Sequence, residues 1–338
     1  MNSREDYLRS LKSGDTEEGI DLLFYRPIGY MWARLASRLG ITPNNITIAS
    51  IFLGIGAGVC FGFNDLWVNV AGMLLLIWAN SFDSADGQLA RLTHQYSRLG
   101  RILDGVSGDL WFASIYIAIV IRENSTIPLF HDHPWELWVL AVVAGFFHAK
   151  QASTADCYRQ FHLYFLKGSE GSELDSSESL SRQLWESGVT WRNGFFRRLC
   201  MSVYIAYTRS QERLTPRMQA LRQALAERWP DGKIPAGFRA DFRRRSLPLM
   251  KYTNILTFNW RSIGLFITLF IGQPWLYFVY ELTLLNLVWV YMTTSIRPLL
   301  WSFTRLLWVR TVVWGSCAPS STRLRLFSSS LGTEEMER

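Results

Sequence analysis

Residues 66–91 read LWVNVAGMLLLIWANSFDSADGQLAR: an apolar run that leads, with no turn residues between, into two aspartates, a glycine and an arginine. A bilayer-spanning helix needs about 20 largely apolar residues. The run 66–82 falls short of that unless its helix continues through 83–91, beyond the membrane core. Outward from this stretch, similar apolar runs recur at 45–63, 102–121, 135–158, 249–271 and 275–296, divided by charged gaps. The 338-residue chain is 49% hydrophobic and only 19% charged, where soluble domains carry about 25% charged residues. An all-α integral membrane protein with six transmembrane helices is therefore predicted, and a soluble enzyme is excluded. The four cysteines, Cys60, Cys157, Cys200 and Cys317, are scattered without paired spacing, which excludes a disulfide scaffold. The first 20 residues are polar and offer no apolar signal-peptide core.

Lys and Arg mark the cytosolic side. The 83–101 gap holds Arg91, Arg98 and Arg101, the stretch 167–246 has 15 Lys/Arg against 9 Asp/Glu, and the tail carries Arg297, Arg305, Arg310, Arg323 and Arg325. The opposite connections, at 64–65, 122–134 and 272–274, are short. Five segments follow: a cytosolic amino terminus with an interfacial helix (1–44), four spans carrying the acidic motif (45–166), a helical cytosolic insertion or flap (167–246), two further spans (247–296), and an interfacial, then disordered, tail (297–338). In the insertion, Thr215-Pro216 is a helix start signal and Pro230-Asp231-Gly232 a stop. The net charge of +7 is mostly that of the insertion. Attraction to anionic headgroups accounts for it better than nucleic acid does.

Asp83 and Asp86 are three apart and share one helix face. Asp104, near the start of the next span, returns to the same depth across a short loop. Carboxylates converging beside hydrocarbon repel one another unless cations neutralise them. Carboxylate oxygen is a hard ligand and no His-Cys cluster accompanies it, so Mg²⁺ or Mn²⁺ fits, and two such ions can bridge a phosphoryl group undergoing displacement. Gly87 and Ala90 leave bare backbone beside the carboxylates. Arg91 can pair with phosphate.

Asp83, Asp86, Gly87, Ala90, Arg91, Gly100 and Asp104 match the signature D-x2-D-G-x2-A-R-x8-G-x3-D-x3-D in identity and spacing, and so resemble the CDP-alcohol phosphotransferase family. The resemblance implies a cytosol-facing dimetal site held by Asp83, Asp86 and Asp104. It places Gly87, Ala90, Arg91 and Gly100 beside the donor and implies transfer of a substituted phosphate to a hydroxyl acceptor. It further implies a bacterial cytoplasmic membrane and pairing into a homodimer. The family's fourth aspartate, which supports the second metal and deprotonates the acceptor, falls here on Gly108, with Asp109 one residue later. That step turns a side chain by about 100° on a regular helix. A one-residue π-bulge between Gly105 and Gly108 would bring Asp109 back as metal ligand and base.

The fourth and fifth spans add candidates for the acceptor: His148 as a substitute base, Lys150, Gln151 and Arg159 on one helix, and Lys251, Asn254 and Arg261 on another. Ionisable residues inside a span face a cavity or a partner. The runs 100–109 and 147–151 are similar to a divergent bacterial branch associated with inositol lipids, including inositol phosphorylceramide synthesis. Two enzyme versions follow, one passing a group from a CDP-lipid donor to an inositol-type acceptor and one passing phosphoinositol from a lipid to ceramide. A non-catalytic lipid binder or cation transporter with the aspartates as an ion site is the reading from another class. Transport needs acids at mid-membrane, and these gather at the cytosolic end.

Overall fold

The computed structural model describes residues 3–11, 13–167 and 174–314. Among these the regular structure is helical, with no strand. The elements are α1 (Ser3–Ser10), a π-turn (Asp21–Tyr25) running into α2 (Arg26–Arg38), α3 (Pro43–Phe61), α4 (Leu66–Thr93), α5 (Arg98–Thr126), α6 (Pro128–Asp132) and α7 (Pro134–Lys167). The insertion forms α8 (Ser177–Glu186), α9 (Phe195–Leu214) and α10 (Pro216–Arg228). Then come α11 (Ala236–Ile255), α12 (Phe258–Phe270), α13 (Leu276–Tyr280), a second π-turn (Glu281–Leu285) and α14 (Asn286–Trp314).

Among the described residues, four stretches are long and apolar enough to cross a bilayer: Pro43–Phe61, Leu66–Thr93, Gly100–Thr126 and Leu276–Leu307. The chain is thus a helical membrane protein. α4 does continue through the acidic motif. It is capped by Asp65, which accepts from the Val68 amide at 2.9 Å, and it ends where His94 turns left-handed at φ 55°. After a short link Ser97 caps α5 by accepting from the Gly100 amide at 2.8 Å.

Lipid tails are as apolar as leucine, so packing between spans depends on close fit rather than escape from water. Glycines supply that fit. A Cβ on Gly54 would lie 2.1 Å from the Trp111 ring and one on Gly58 2.3 Å from Ser114 Oγ, which is how α3 lies so closely against α5. Phe61, Met73, Leu76, Trp111, Phe112, Ile115, Leu265 and Tyr277 close this core. A second core of Phe161, Phe165, Met218, Leu221, Phe242, Leu300, Phe303 and Leu307 joins the ends of α7 and α14 to α10 and α11.

Three segment expectations change. The fifth span, 249–271, is two helices: α11 stops at Ile255, and the Leu256 carbonyl, released from helical bonding, accepts Arg261 Nε at 3.2 Å. The apolar part of the tail is no separate interfacial helix. α14 runs on through Pro298 to Trp314 and docks Leu300, Phe303 and Leu307 on the insertion. The boundary at 246 falls inside α11. The disordered reading of the Ser-rich tail lies outside the described residues.

Candidate active site

Asp83 and Asp86 on α4 and Asp104 on α5 bring carboxylate oxygens within 4.8 Å of one another. Asp86 is buried, Asp83 half-buried and Asp104 exposed. Hydroxyls hold two of the carboxylates: Thr47 on α3 donates to Asp86, and Ser107 Oγ lies 2.9 Å from Asp83 Oδ1 and 2.7 Å from the main-chain carbonyl of Asp104. Three hard oxygen donors from two helices, with no competing imidazole or thiolate, suit a divalent cation of the Mg²⁺ or Mn²⁺ kind.

Two cavities meet at this trio. The smaller, about 110 Å³, is lined by Asn44, Thr47, Asp86, Gly87, Ala90, Arg91, Ser97, Gly100 and Asp104. It therefore gathers the four residues expected beside the donor. A Cβ on Gly100 would press to 2.6 Å from Asn44 Oδ1, and one on Gly87 would meet the Arg91 guanidinium at 3.4 Å. Arg91 Nε donates to the Ser10 carbonyl at 2.5 Å, while Nη2 is buried without a partner among the described residues. That leaves one edge of the guanidinium for an anion.

The larger cavity, about 380 Å³, is lined by Asp83, Asp104, Asp109, His148, Lys150, Asp156, Arg159 and Arg261 of the spans, and by Tyr204, Tyr207, Ser210 and Gln211 of α9. The insertion is thus a wall of the cavity. Lys150 donates to Ser210 at 3.2 Å, and Asp175 just ahead of α8 accepts from Arg101 at 3.2 Å and Tyr204 at 2.8 Å. A 380 Å³ space rimmed by both charge signs suits a polar, hydroxyl-rich molecule.

The structure corrects the bulge. α5 is regular α-helix across Gly105–Gly108, so Asp109 stands about 140° round from Asp104 and is outside the carboxylate trio. It lines the larger cavity instead, with His148 and Arg261. The acceptor candidates also divide. Lys150 and Arg159 line the cavity, whereas Lys251 is exposed and lies 4.9 Å from the Tyr252 ring. Asn254 meets Arg159 Nη2 at 3.5 Å. Gln151 is fully buried and serves Arg261, its Oε1 accepting from Nη2 at 2.9 Å, while its Nε2 donates to Asn286 Oδ1 at 2.8 Å.

Sequence reasoning missed Glu281. It is fully buried in the last span, where the second π-turn begins. Arg261 Nη1 reaches its two oxygens at 2.7 and 2.6 Å, Tyr277 donates to it at 2.5 Å, and His148 Nδ1 lies 3.2 Å away. Removing one partner of such a pair costs about 3–5 kcal/mol. The available signal was a lone acid in an apolar run opposite Arg261, since each such charge requires a partner.

Residues 40–149 match the family model described as CDP-alcohol phosphatidyltransferase. An archaetidylinositol phosphate synthase of Pyrococcus horikoshii is 35% identical over 96 residues, which is 28% of this chain and 49% of that protein. The chain thus spans about half the length of the curated relative it matches. The segment 40–149, which holds the carboxylate trio and the smaller cavity, is thus a CDP-alcohol phosphatidyltransferase domain.

Proposed function

We propose that this chain transfers a substituted phosphate from a CDP-lipid donor to a hydroxyl of an inositol-type acceptor, in phospholipid synthesis at the cytosolic face of a bacterial membrane. One observation carries the reading: Asp104 lines both cavities, so a donor diphosphate in the small one and a hydroxyl in the large one meet at the carboxylate trio. Asp83, Asp86 and Asp104 would hold two divalent ions, which would neutralise the diphosphate and the developing charge. Gly87 and Ala90 admit the nucleotide closely, and Arg91 receives its phosphate. Lys150 and Arg159 orient the acceptor. As its oxygen bonds to phosphorus, the bond to CMP breaks and the hydroxyl proton passes to Asp109. The similarity to an archaetidylinositol phosphate synthase supports the acceptor class.

The test is purified protein with Mg²⁺ or Mn²⁺ and a panel of substrates, with products read by mass spectrometry. Its arms are CDP-lipids with inositol, inositol phosphate or another alcohol, and phosphatidylinositol with ceramide. CMP release with an inositol-bearing lipid supports the reading. Product from phosphatidylinositol and ceramide without a nucleotide replaces it with the second enzyme version, and no product in any arm favours a non-catalytic lipid or cation binder.

A further inference from the structure

The His148 imidazole faces the larger cavity with Nδ1 turned inward. Three groups surround that nitrogen: Arg261 Nη1 at 2.9 Å, the Tyr116 hydroxyl at 3.1 Å and Glu281 Oε1 at 3.2 Å. A guanidinium only donates. Glu281 Oε1 already accepts Arg261 at 2.7 Å and Tyr277 at 2.5 Å. A proton on Nδ1 would set its N–H against the Arg261 N–H at the shortest of the three contacts, for a third bond to an oxygen already served. A lone pair on Nδ1 accepts from Arg261 at the shortest contact, and the Tyr116 hydroxyl can share it. Which nitrogen of a histidine carries the proton is set by what its other nitrogen meets.

We infer that His148 is a neutral imidazole protonated on Nε2, locked by the Glu281–Arg261 pair, and that it presents a hydrogen-bond donor to the acceptor cavity instead of a base. Such a nitrogen cannot take a proton from a hydroxyl. It can bind an oxygen that does not react, so His148 holds and orients a hydroxyl-rich acceptor while Glu281 and Arg261 act as positioning residues. Among the other carboxylates of the cavity, Asp83 and Asp104 belong to the trio, and Asp156 is bonded to Gln160 at 3.4 Å and Gln211 at 3.2 Å. Asp109, which makes no hydrogen bond to a described residue, remains to receive the proton. The assignment of the acceptor to this cavity rests on the function proposed above; the tautomer does not.

The measurement is ¹⁵N NMR of the full-length protein labelled at its five histidines, with the His148 signals assigned by their loss in His148→Gln. Near neutral pH we expect Nδ1 in the pyridine-type range and Nε2 in the pyrrole-type range. Tyr116→Phe removes one donor at Nδ1, shifts the same signal and gives the assignment if His148→Gln does not fold. With an active acceptor, His148→Gln should raise its KM on the order of tenfold, as loss of one hydrogen bond does, and leave the acid limb of the kcat profile in place. The reversed tautomer, a doubly protonated ring near neutral pH, or an acid limb near 6.5 that disappears with His148→Gln would overturn the inference. Failure of every substrate would sink the proposed function and leave the NMR result standing.

Discussion

Asp86 shows how one residue is fixed by chemistry before geometry. It is 4% exposed, beside Asp83 and Asp104 and tied to Thr47. Three carboxylates at such a spacing, one of them buried, require positive charge among them, because their repulsion is little screened away from bulk water. Asp86→Ala should lower turnover on the order of 10³-fold, through loss of metal-based charge stabilisation worth several kcal/mol, while the protein remains folded. Turnover measured against a Mn²⁺ titration, with size-exclusion behaviour alongside, checks it. Near-normal turnover of this variant at limiting metal would refute the metal assignment.

At the scale of elements, the amino-terminal segment acts as a strap. Gln88 of α4 donates to the Ser10 hydroxyl at 3.3 Å and the Arg26 carbonyl at 3.1 Å, and Arg26 pairs with Glu17 at 2.6 Å. Glu18 and Asp21 accept from Asn259 of α12. Asp15 binds Arg243 of α11 at 2.5 and 2.7 Å and His162 of α7 at 3.2 Å. The strap thus connects α4, which bears Asp83 and Asp86, with the helices on the far side of the cavity. The hydrogen bonds from Arg243 hold the Asp15 carboxyl below its ordinary value, with His162 adding to the effect and burial opposing it. A carboxyl depressed on folding contributes stability that is present above its unfolded pKa, about 3.9, and is lost as pH falls through the lower folded value. Arg243→Ala should therefore move the acid-unfolding midpoint upward, by a few tenths of a pH unit for so exposed a guanidinium. Tryptophan fluorescence through an acid titration in detergent reads it, and an unchanged midpoint would show the strap contact to be energetically idle.

For the whole molecule, apolar side chains point outward as well as inward. Phe52, Trp67, Val142 and Leu287 are each more than 60% exposed, as a lipid-facing surface requires. Leu23 and Met31, along the π-turn and α2, are exposed likewise, which suits a helix lying in the interface. The excess of Lys and Arg in the insertion predicts that it and the active site face the cytosol. In a background freed of native cysteines, Ser179→Cys on the exposed side of α8 should react with a membrane-impermeant maleimide in inverted vesicles. It should stay unlabelled in right-side-out vesicles, and the reverse pattern would overturn the topology.

The chain itself determined its solvent and its carboxylate cluster. A sustained apolar pattern admits only helices in lipid, because backbone groups there must bond internally. Aspartates at 83, 86 and 104 fall together because helical spacing and a short link leave them few other places. The residues expected beside a donor gather in one cavity for the same reason, being local to α4 and the start of α5. What only the tertiary structure decided lies across the larger cavity. Apolar periodicity carries no information about which distant charge pairs with which, so Glu281 stayed hidden until the last span was packed against α7 and α12. The bulge expected in α5 to bring Asp109 back is absent, and one of the two π-turns lies instead at Glu281, where Arg261, His148 and Tyr277 converge on one carboxylate. The break at Leu256 likewise separates Lys251 from Arg261, which the pattern had placed on one face. Partners on different helices, 20 residues apart for Arg261 and Glu281 and 133 for His148 and Glu281, meet only when the helices pack, and their hydrogen bonds then settle which side chains remain available to a substrate.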